Sequence, residues 1–308
     1  MFSLVFPGQG SQYIGMGKDF SKNFPVAKKV YDEVDEELGF SLSNLIFDGK
    51  IEDLTLTQNA QPAIMATSIA ILKTLEKEGF KIENSTFVAG HSLGEYTALC
   101  ATGAISLANT ATLLKMRGLF MQEAVPVGNG AMAAIVGLDL NHVKSLINDF
   151  KDDEICEIAN DNEPKQVVLS GSRLAIEKIC ENAKSFGAKR AILLPVSAPF
   201  HCSLMTPAQE NMINLISEVS VKKPAVPLIS NITAIPTQKI EEIKDNLIKQ
   251  ITGRVRWRES VLYMQNYGIK KTYEIGPGRV LCNLIKRTVN KIEQTNVSKV
   301  EDLDKLRN

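Results

Sequence analysis

The sequence predicts an α/β fold with a large domain built on a parallel sheet and a smaller domain inserted into it. Three observations favour this architecture. Strands and amphipathic helices alternate in the outer parts of the chain, the middle part has a different order of elements, and 308 residues exceed what one growing core accommodates. We expect the large domain to comprise residues 1–126 and 197–308, and the small one residues 127–196.

The large domain is predicted from two kinds of pattern. Short apolar runs bounded by turn residues predict strands at residues 3–6, 86–89, 226–230 and 272–275. Apolar residues that recur every three or four positions predict helices at residues 26–38, 62–75, 95–100 and 107–124. This alternation is typical of a parallel sheet covered by helices. From about residue 292 the chain is polar and weakly patterned, and we expect only a tail there.

The middle of the chain reads strand, helix, strand, strand, helix, strand. These elements are predicted at residues 131–138, 141–150, 156–159, 166–171, 175–186 and 190–196. This is the ferredoxin-like order. We therefore expect a ferredoxin-like subdomain inserted into a large α/β-hydrolase-like domain, with a cleft between the two as the natural place for a site.

Composition narrows the classes of function. The chain has 35 basic and 35 acidic residues, so no overall charge attracts nucleic acid or a membrane surface. No apolar run approaches the length of a membrane span or a signal peptide, and we expect a cytoplasmic monomer. Five cysteines without a CxxC pair favour neither a disulfide framework nor a zinc site, and no metal site is expected.

A candidate nucleophile lies in the segment GHSLG at residues 90–94. This segment fits the pattern G-x-S-x-G and lies between a predicted strand and a predicted helix, which is the context that the pattern requires. The glycines tolerate the strained backbone at Ser92, and the helix start directs free N–H groups at developing negative charge. The alternative is an ordinary turn bounded by glycines.

A serine nucleophile needs a base, and the chain has three histidines. His91 precedes Ser92 in an extended segment, so its side chain points away. His142 begins a polar-faced helix of the small domain, where a solvated position is expected. His201 remains, at the boundary where the chain returns to the large domain, although a hydrogen-bonded core histidine is an alternative. Because the inserted domain offers no clear carboxylate partner, a backbone carbonyl or an amide is expected to orient it.

Arg117 lies on a helix otherwise rich in apolar residues. It is either a surface arginine with a buried stem or a guanidinium that enters the cleft and binds a substrate carboxylate through two parallel hydrogen bonds. Two other sites are disfavoured. The spacing of Gly8, Gly10 and Gly15 does not match a dinucleotide-binding loop, and Cys202 has nothing near it in sequence that would lower the pKa of its thiol.

Several motifs in one order give the chain a specific resemblance. They are FPGQGSQ at residues 6–12, TQNAQPA at 57–63, GHSLGEY at 90–96, MRGLFMQEA at 116–124, NDNEPKQVVLSG at 160–171, HCSLM at 201–205 and YEIGPG at 273–278. With these motifs the chain resembles, nearly end to end, the malonyl-CoA:acyl carrier protein transacylases of fatty-acid synthesis and the acyltransferase domains of polyketide synthases.

The resemblance implies roles for individual residues. Ser92 would be the nucleophile, His201 its base and Arg117 the group that binds the malonyl carboxylate. The backbone N–H groups of Gln9 and Leu93 would form the oxyanion hole. Gln250 would orient the histidine. The residues that line the cleft would be Gln61, Asn160 and Asn162. Arg254 departs from the family, since many relatives have proline there. Phe200, immediately before His201, resembles the residue at that position in malonyl-selective polyketide synthase domains.

The resemblance also implies the reaction. Malonyl would move from malonyl-CoA to acyl carrier protein by a ping-pong mechanism, for fatty-acid biosynthesis and with no metal or redox cofactor. The alternatives are a serine thioesterase or other hydrolase with the same Ser-His pair, and a scaffold that only docks the carrier. Because carrier proteins are acidic, a local basic surface is expected. The candidates for it are Arg254, Arg256, Arg258, Arg279, Lys286 and Arg287.

Overall fold

The computed structural model describes residues 1–149 and 154–306 and contains two sheets. Their strands are β1 (Phe2–Phe6), β2 (Phe87–Gly90), β3 (Gly130–Val136), β4 (Cys156–Glu163), β5 (Gln166–Ser172), β6 (Arg190–Leu193), β7 (Leu228–Ile229), β8 (Pro236–Thr237), β9 (Lys271–Ile275) and β10 (Glu293–Val297). The fold is therefore mixed α/β, with the strands of the second sheet contiguous in sequence.

Helices connect and cover these strands. They are α1 (Lys18–Asn23), α2 (Pro25–Leu38), α3 (Leu42–Asp48), α4 (Ile51–Thr55), α5 (Thr57–Lys77), α6 (Leu93–Ala101), α7 (Leu107–Glu123), α8 (Leu140–Asp149), α9 (Arg173–Asn182), α10 (Thr206–Glu218), α11 (Ile240–Gln250), α12 (Trp257–Tyr267) and α13 (Val280–Thr288). Short 3-10 helices lie at Ile82–Asn84, Ser203–Met205 and Val300–Leu306. Across the described ranges, no helix has the length and apolarity needed to cross a membrane.

The larger sheet is parallel from β10 to β7. Its strand order is β10-β9-β1-β2-β7-β8, with β8 added antiparallel to β7. The carboxyl ends of β1 and β2 lie side by side, with Phe6 opposite Gly90. The loop over residues 7–12 and the turn at Ser92 therefore meet at the same edge of the sheet, where ligands bind in open α/β sheets.

Alternation of side chains along β1 divides the core of this sheet into two layers. Leu4 and Phe6 belong to a large apolar cluster with helices α2, α5 and α7. Val5 points to the opposite face and belongs to a second cluster with Trp257 of α12 and Leu281 of α13. The strand is buried on both faces, as expected for the centre of a parallel sheet.

The second sheet is antiparallel and has the order β4-β5-β3-β6. Helices α8 and α9 pack on it through an apolar cluster of their own. β4 is joined to the segment before α12, where Val255 exchanges backbone hydrogen bonds with Ala159 and Asp161 at 2.8 and 2.9 Å. This junction fixes β4 beside the larger sheet.

The predicted tail after residue 292 is wrong. The chain there forms β10, which pairs in parallel with β9 from Glu293 to Val297, and then a 3-10 helix. The strand is polar because its side chains are only partly buried at the sheet edge. A half-exposed edge strand lacks the apolar pattern by which strands are recognised in sequence.

Other boundaries differ from prediction in a few places. Helix α5 begins at Thr57 rather than Pro62, with the proline inside the helix near its start, where its missing N–H costs one hydrogen bond. β4 extends to Glu163, so Asn160 and Asn162 lie within a strand instead of after one. The remaining predicted elements are present with ends displaced by up to four residues. Phe150, the predicted end of a helix, lies outside the described residues.

Candidate active site

Ser92 occupies a sharp turn between β2 and α6. Its backbone has φ 54° and ψ −110°, an unusual conformation for a residue with a side chain. The flanking glycines are required by close packing, because a Cβ on Gly90 would lie 2.0 Å from the Gly94 carbonyl and one on Gly94 would lie 2.2 Å from the Phe6 oxygen. The G-x-S-x-G pattern thus reflects backbone-to-backbone contact around a half-buried serine.

Three groups form a hydrogen-bonded chain at this turn. The Oγ atom of Ser92 lies 2.8 Å from Nε2 of His201, and Nδ1 of His201 lies 2.8 Å from the backbone oxygen of Gln250. A carbonyl oxygen only accepts, so Nδ1 carries the proton and Nε2 is free to accept the proton of Ser92. A backbone carbonyl therefore orients the histidine, which was one of the two expectations from sequence.

His201 is held as a neutral base. Burial lowers its pKa to about 3, and the nearby positive charge of Arg117 acts in the same direction. Its backbone also has a positive φ of 61°, a second strained residue at this site. The imidazole is consequently unprotonated over the whole physiological range of pH.

Arg117 is fully inside the protein, which excludes the surface alternative. It is 1% exposed, and its Nη1 atom donates to the side-chain oxygen of Gln61 at 2.8 Å. Its Nη2 atom donates to the side-chain oxygen of Gln250 at 2.8 Å and to Oγ of Ser92 at 3.0 Å. Within the described residues its Nε–H has no acceptor and no carboxylate forms a salt bridge with it. The guanidinium thus retains donors and charge for a ligand beside the serine.

Helix packing sets the position of this arginine. Gly118 follows it in α7, and a Cβ there would lie 2.6 Å from backbone atoms of α5. The glycine lets α7 approach α5 closely, which brings Arg117 within reach of Gln61 on that helix. The glycine after Arg117 in the sequence is therefore part of how the cation is placed.

The oxyanion candidates lie at the expected edge. The N–H of Ser92 is occupied by the side chain of Asn231 at 2.8 Å, and that of Gly94 by the His91 oxygen at 3.0 Å. In the described parts of the chain, the N–H groups of Leu93 and Gln9 have no acceptor. Leu93 begins α6 after β2 and Gln9 lies in the loop after β1, and both N–H groups are free for a negatively charged oxygen.

The predicted cleft residues are divided between two positions. Gln61 is buried and contacts Arg117. Asn162 instead accepts a hydrogen bond from Nε2 of His91 at 2.9 Å, and the ring of His91 lies against Trp257. His91 therefore bonds beneath the turn, as expected. Asn160 lies two residues before Asn162 on β4 and is mostly buried.

The disfavoured candidates occupy positions consistent with their rejection. His142 is exposed and pairs with Asp139 at 2.7 Å. Cys202 is buried, its Sγ lies 3.1 Å from the Pro199 oxygen, and burial raises the pKa of its thiol. Among the described residues, no three His, Cys, Asp or Glu side chains are grouped so that they could bind a metal ion.

Sequence reasoning missed two residues of the site, Asn231 and Glu95. Asn231 receives the Ser92 N–H and donates from Nδ2 to the Gly90 oxygen at 2.6 Å, so it braces the strained turn. Glu95 is 1% exposed and accepts from the Gln250 side chain at 2.5 Å. Asn231 follows the carboxyl end of β7, and Glu95 is a charge on an otherwise apolar helix; both patterns could have indicated them.

Comparison with known proteins identifies the family to which this chain belongs. Residues 3–305 match the family described as acyl transferase domain. The malonyl CoA-acyl carrier protein transacylase of Bacillus subtilis (strain 168) is 44% identical over 98% of this chain and 95% of its own length. The chain belongs to this family of acyltransferases. The relative from Escherichia coli (strain K12) is 40% identical over 94% of this chain and 93% of its length.

Solved structures agree with the sequence relatives. The acyltransferase superimposes on the acyl-carrier-protein S-malonyltransferase of Bartonella henselae with a TM-score of 0.96 and 47% identity, covering 99% of this chain and 97% of that one. It is also similar, with a TM-score of 0.95 and 39% identity, to a malonyl-transacylase in complex with a type II polyketide acyl-carrier protein, with 98% and 97% coverage. The resemblance noted from the motifs is thereby confirmed.

Proposed function

We propose that this acyltransferase moves the malonyl group from malonyl-CoA to the phosphopantetheine thiol of acyl carrier protein in fatty-acid biosynthesis, through an ester on Ser92. One observation carries the proposal: the buried Arg117 lies 3.0 Å from the Ser92 hydroxyl with no carboxylate bound to it among the described residues. An acyl group that itself bears a carboxylate satisfies that cation while its carbonyl reaches the serine. The names of the relatives support the same substrates.

In the first half-reaction, Oγ of Ser92 attacks the thioester carbonyl as Nε2 of His201 takes the hydroxyl proton. The carbonyl oxygen becomes negative, and the free N–H groups of Leu93 and Gln9 stabilise it. The tetrahedral intermediate collapses, the carbon–sulfur bond breaks, and the coenzyme A sulfur leaves with the proton from His201. The products are malonyl-Ser92 and coenzyme A.

In the second half-reaction, the carrier thiol repeats these steps in reverse. His201 takes the thiol proton, the sulfur attacks the ester carbonyl, and Oγ of Ser92 leaves with that proton. A thioester is consumed and a thioester is made, so the exchange is nearly isoenergetic and needs no metal or redox cofactor. Arg117 holds the carboxylate through both halves beside Gln61, and Asn160 and Asn162 are proposed to line the cleft on the side of His91.

Two rival functions make different products. A thioesterase would use the same Ser92 and His201 but deliver the acyl group to water. A scaffold that only docks the carrier would not form an ester. Transfer is favoured because relatives that match this chain over nearly its whole length are named as transacylases.

Intact mass spectrometry after mixing with malonyl-CoA tests the proposal, with Ser92→Ala as the control. We expect one malonyl adduct that is absent from the variant and passes to carrier protein when that is added. An adduct lost to water at the same rate with and without carrier would favour the hydrolase. The complete absence of an adduct would favour the scaffold.

The carrier is proposed to dock near α13. Of the six basic candidates, Arg254 and Arg256 pair with Glu259, Arg258 pairs with Asp161 and Arg287 lies 3.5 Å from Glu163. Arg279 and Lys286 are exposed and form no salt bridge within the described part of the chain. Reversing both charges should slow transfer to the carrier and spare malonylation of Ser92. An unchanged carrier step would contradict this docking surface.

We also propose the finer architecture predicted from sequence, in which residues 127–196 form a ferredoxin-like subdomain inserted into an α/β-hydrolase-like domain. The order β4-β5-β3-β6 with two helices supports it. A monomeric state and a cytoplasmic location stay predictions. Sedimentation velocity of the purified protein and fractionation of cells that express it would test them, and a dimer or membrane-bound protein would contradict them.

A further inference from the structure

Glu95 is a buried carboxyl group that the mechanism above does not use. It lies on α6, one turn after Ser92, and is 1% exposed. Its carboxylate accepts from the Gln250 side chain at 2.5 Å and from the Asn231 N–H at 3.3 Å. No cation among the described residues forms a salt bridge with it. Burying a carboxyl group with only neutral donors is costly, so its presence calls for an explanation.

The contacts of Gln250 show what Glu95 does. The Nε2 atom of Gln250 faces oxygen acceptors on Glu95, on the Ser92 backbone at 3.1 Å and on the Asn231 side chain at 3.3 Å. Its Oε1 atom faces Nη2 of Arg117 at 2.8 Å. Turning the amide over would set its oxygen against three acceptors and its NH2 group against a guanidinium. The network therefore permits one orientation of the amide.

This orientation connects Glu95 to Arg117, the cation that is proposed to bind the substrate. A hydrogen bond to a carboxylate polarises the Gln250 amide and strengthens the bond that its oxygen accepts from Arg117. Above its pKa, Glu95 also sets a negative charge one amide away from a buried guanidinium. Burial raises the pKa of Glu95 to about 7, while the Gln250 hydrogen bond and Arg117 oppose that rise.

We propose that Glu95 is a positioning residue that fixes Arg117 through the Gln250 amide and thereby sets the selectivity for acyl groups that carry a carboxylate. This inference rests on the function proposed above and names a residue that determines its specificity. The competing explanation is structural, because Glu95 also receives the Asn231 N–H and so supports the turn at Ser92. A structural role would affect all acyl groups alike.

The test compares malonyl-CoA with acetyl-CoA as acyl donors to carrier protein for wild type and Glu95→Gln. Glutamine keeps the shape and one acceptor for Gln250 but removes the charge. We expect KM for malonyl-CoA to rise about tenfold, the effect of losing one charge-assisted hydrogen bond, with kcat changed much less. Acetyl transfer should stay near its wild-type rate, so the malonyl-to-acetyl ratio of kcat/KM falls about tenfold.

Glu274→Gln is the matched control. Glu274 is equally buried but accepts from the backbone N–H groups of Leu281 and Cys282 at the start of α13. The substitution Glu274→Gln removes a buried carboxylate without affecting Gln250, so the malonyl-to-acetyl ratio of kcat/KM should stay at its wild-type value. If Glu95→Gln does not fold, Glu95→Asp tests the same link in another way, because its shorter side chain keeps the charge but withdraws the carboxylate from the Gln250 amide, and the ratio should again fall.

The outcomes separate this inference from the proposed function. An unchanged malonyl-to-acetyl ratio in the Glu95 variant, whether or not both activities fall, would overturn the role of Glu95. A malonyl adduct on wild-type Ser92 would still support the proposed function. A wild-type protein that forms no malonyl adduct, or shows no preference for malonyl, would overturn both.

Discussion

Arg117 and Arg258 bring guanidinium groups to two different kinds of surroundings. Arg117 contacts neutral oxygens of Gln61, Gln250 and Ser92, and its Nε–H has no acceptor among the described residues. Arg258 makes two hydrogen bonds, at 2.9 and 2.7 Å, to the carboxylate of Asp161, whose side chain is fully buried. Arg117 has no carboxylate in direct contact with it, whereas the charge of Arg258 is neutralised by Asp161.

These surroundings distinguish an arginine that can bind a ligand from one that stabilises the fold. Arg258 on α12 meets Asp161 on β4, so the pair joins a helix that packs on the larger sheet to a strand of the second one, and the carboxylate neutralises its charge. Arg117 is held in place by amides that fix its geometry without cancelling its charge. A buried cation with neutral neighbours pays a desolvation penalty that a substrate carboxylate relieves. Three predictions test this contrast.

The largest expected effect is on substrate selectivity. Arg117→Ala should lower kcat/KM for malonyl-CoA by roughly 100- to 1000-fold, equivalent to about 3–4 kcal/mol, because a carboxylate would then enter the site without its partner. Acetyl transfer, which does not need the cation, should fall far less. Steady-state kinetics with both donors measures this. Equal losses for the two donors would show that Arg117 is only structural.

The second effect is on stability. Arg258→Met should lower the free energy of unfolding by about 3 kcal/mol, because it leaves Asp161 buried and unpaired. Urea denaturation followed by circular dichroism measures this change. The control Lys28→Met breaks an exposed pair with Asp32 and should cost less than about 0.5 kcal/mol. A loss of malonyl selectivity in Arg258→Met like that in Arg117→Ala would erase the contrast between the two arginines.

The smallest effect is expected from pH. Because the pKa of His201 is lowered to about 3, the base stays neutral as pH falls from 8 to 5. An ordinary histidine with a pKa near 6.5 would lose roughly 30-fold in neutral fraction at pH 5. Labelling of Ser92 by a fluorophosphonate, which does not need the carboxylate site, should change by less than about twofold.

A labelling midpoint near pH 6.5 in wild type would contradict the lowered pKa of His201. The variant Arg117→Ala provides a further comparison, since Arg117 contributes to lowering that pKa. Removing the positive charge should let the His201 pKa rise, so labelling of the variant should begin to fall at a higher pH than labelling of wild type. Identical profiles would assign the shift to burial alone.

Sequence indicated most of the residues that the structure brings together at Ser92, because these residues lie in local patterns. The strand, glycines and helix around Ser92 lie within residues 86–100, and elimination among three histidines left His201. Gln250 came from the family resemblance. Its two functions, a backbone oxygen for His201 and a side chain for Arg117, are visible only once distant segments meet.

The parts of the fold that sequence missed are those whose stability is not local. β10 is recognisable only by its pairing with β9. Helices α10 to α13 were also left unassigned, although α11 and α13 bury apolar residues at helical spacing. Asn231 and Glu95 belong to the same class, because a buried polar side chain is explained by partners more than a hundred residues away in sequence. Periodicity reports on neighbours in the chain and not on such contacts.

The pairing of β1 with β9 has a consequence for how the protein is made. Strand β1 is synthesised at the start of this chain, yet its partner on one side, Lys271–Ile275, leaves the ribosome about 270 residues later, after roughly 15–50 s at ordinary rates of translation. Until then the centre of the sheet has an open edge. Contacts between such distant segments also slow folding. During that interval the backbone groups on one side of β1 lack their partners, and an unpaired strand edge of this kind favours association with other chains.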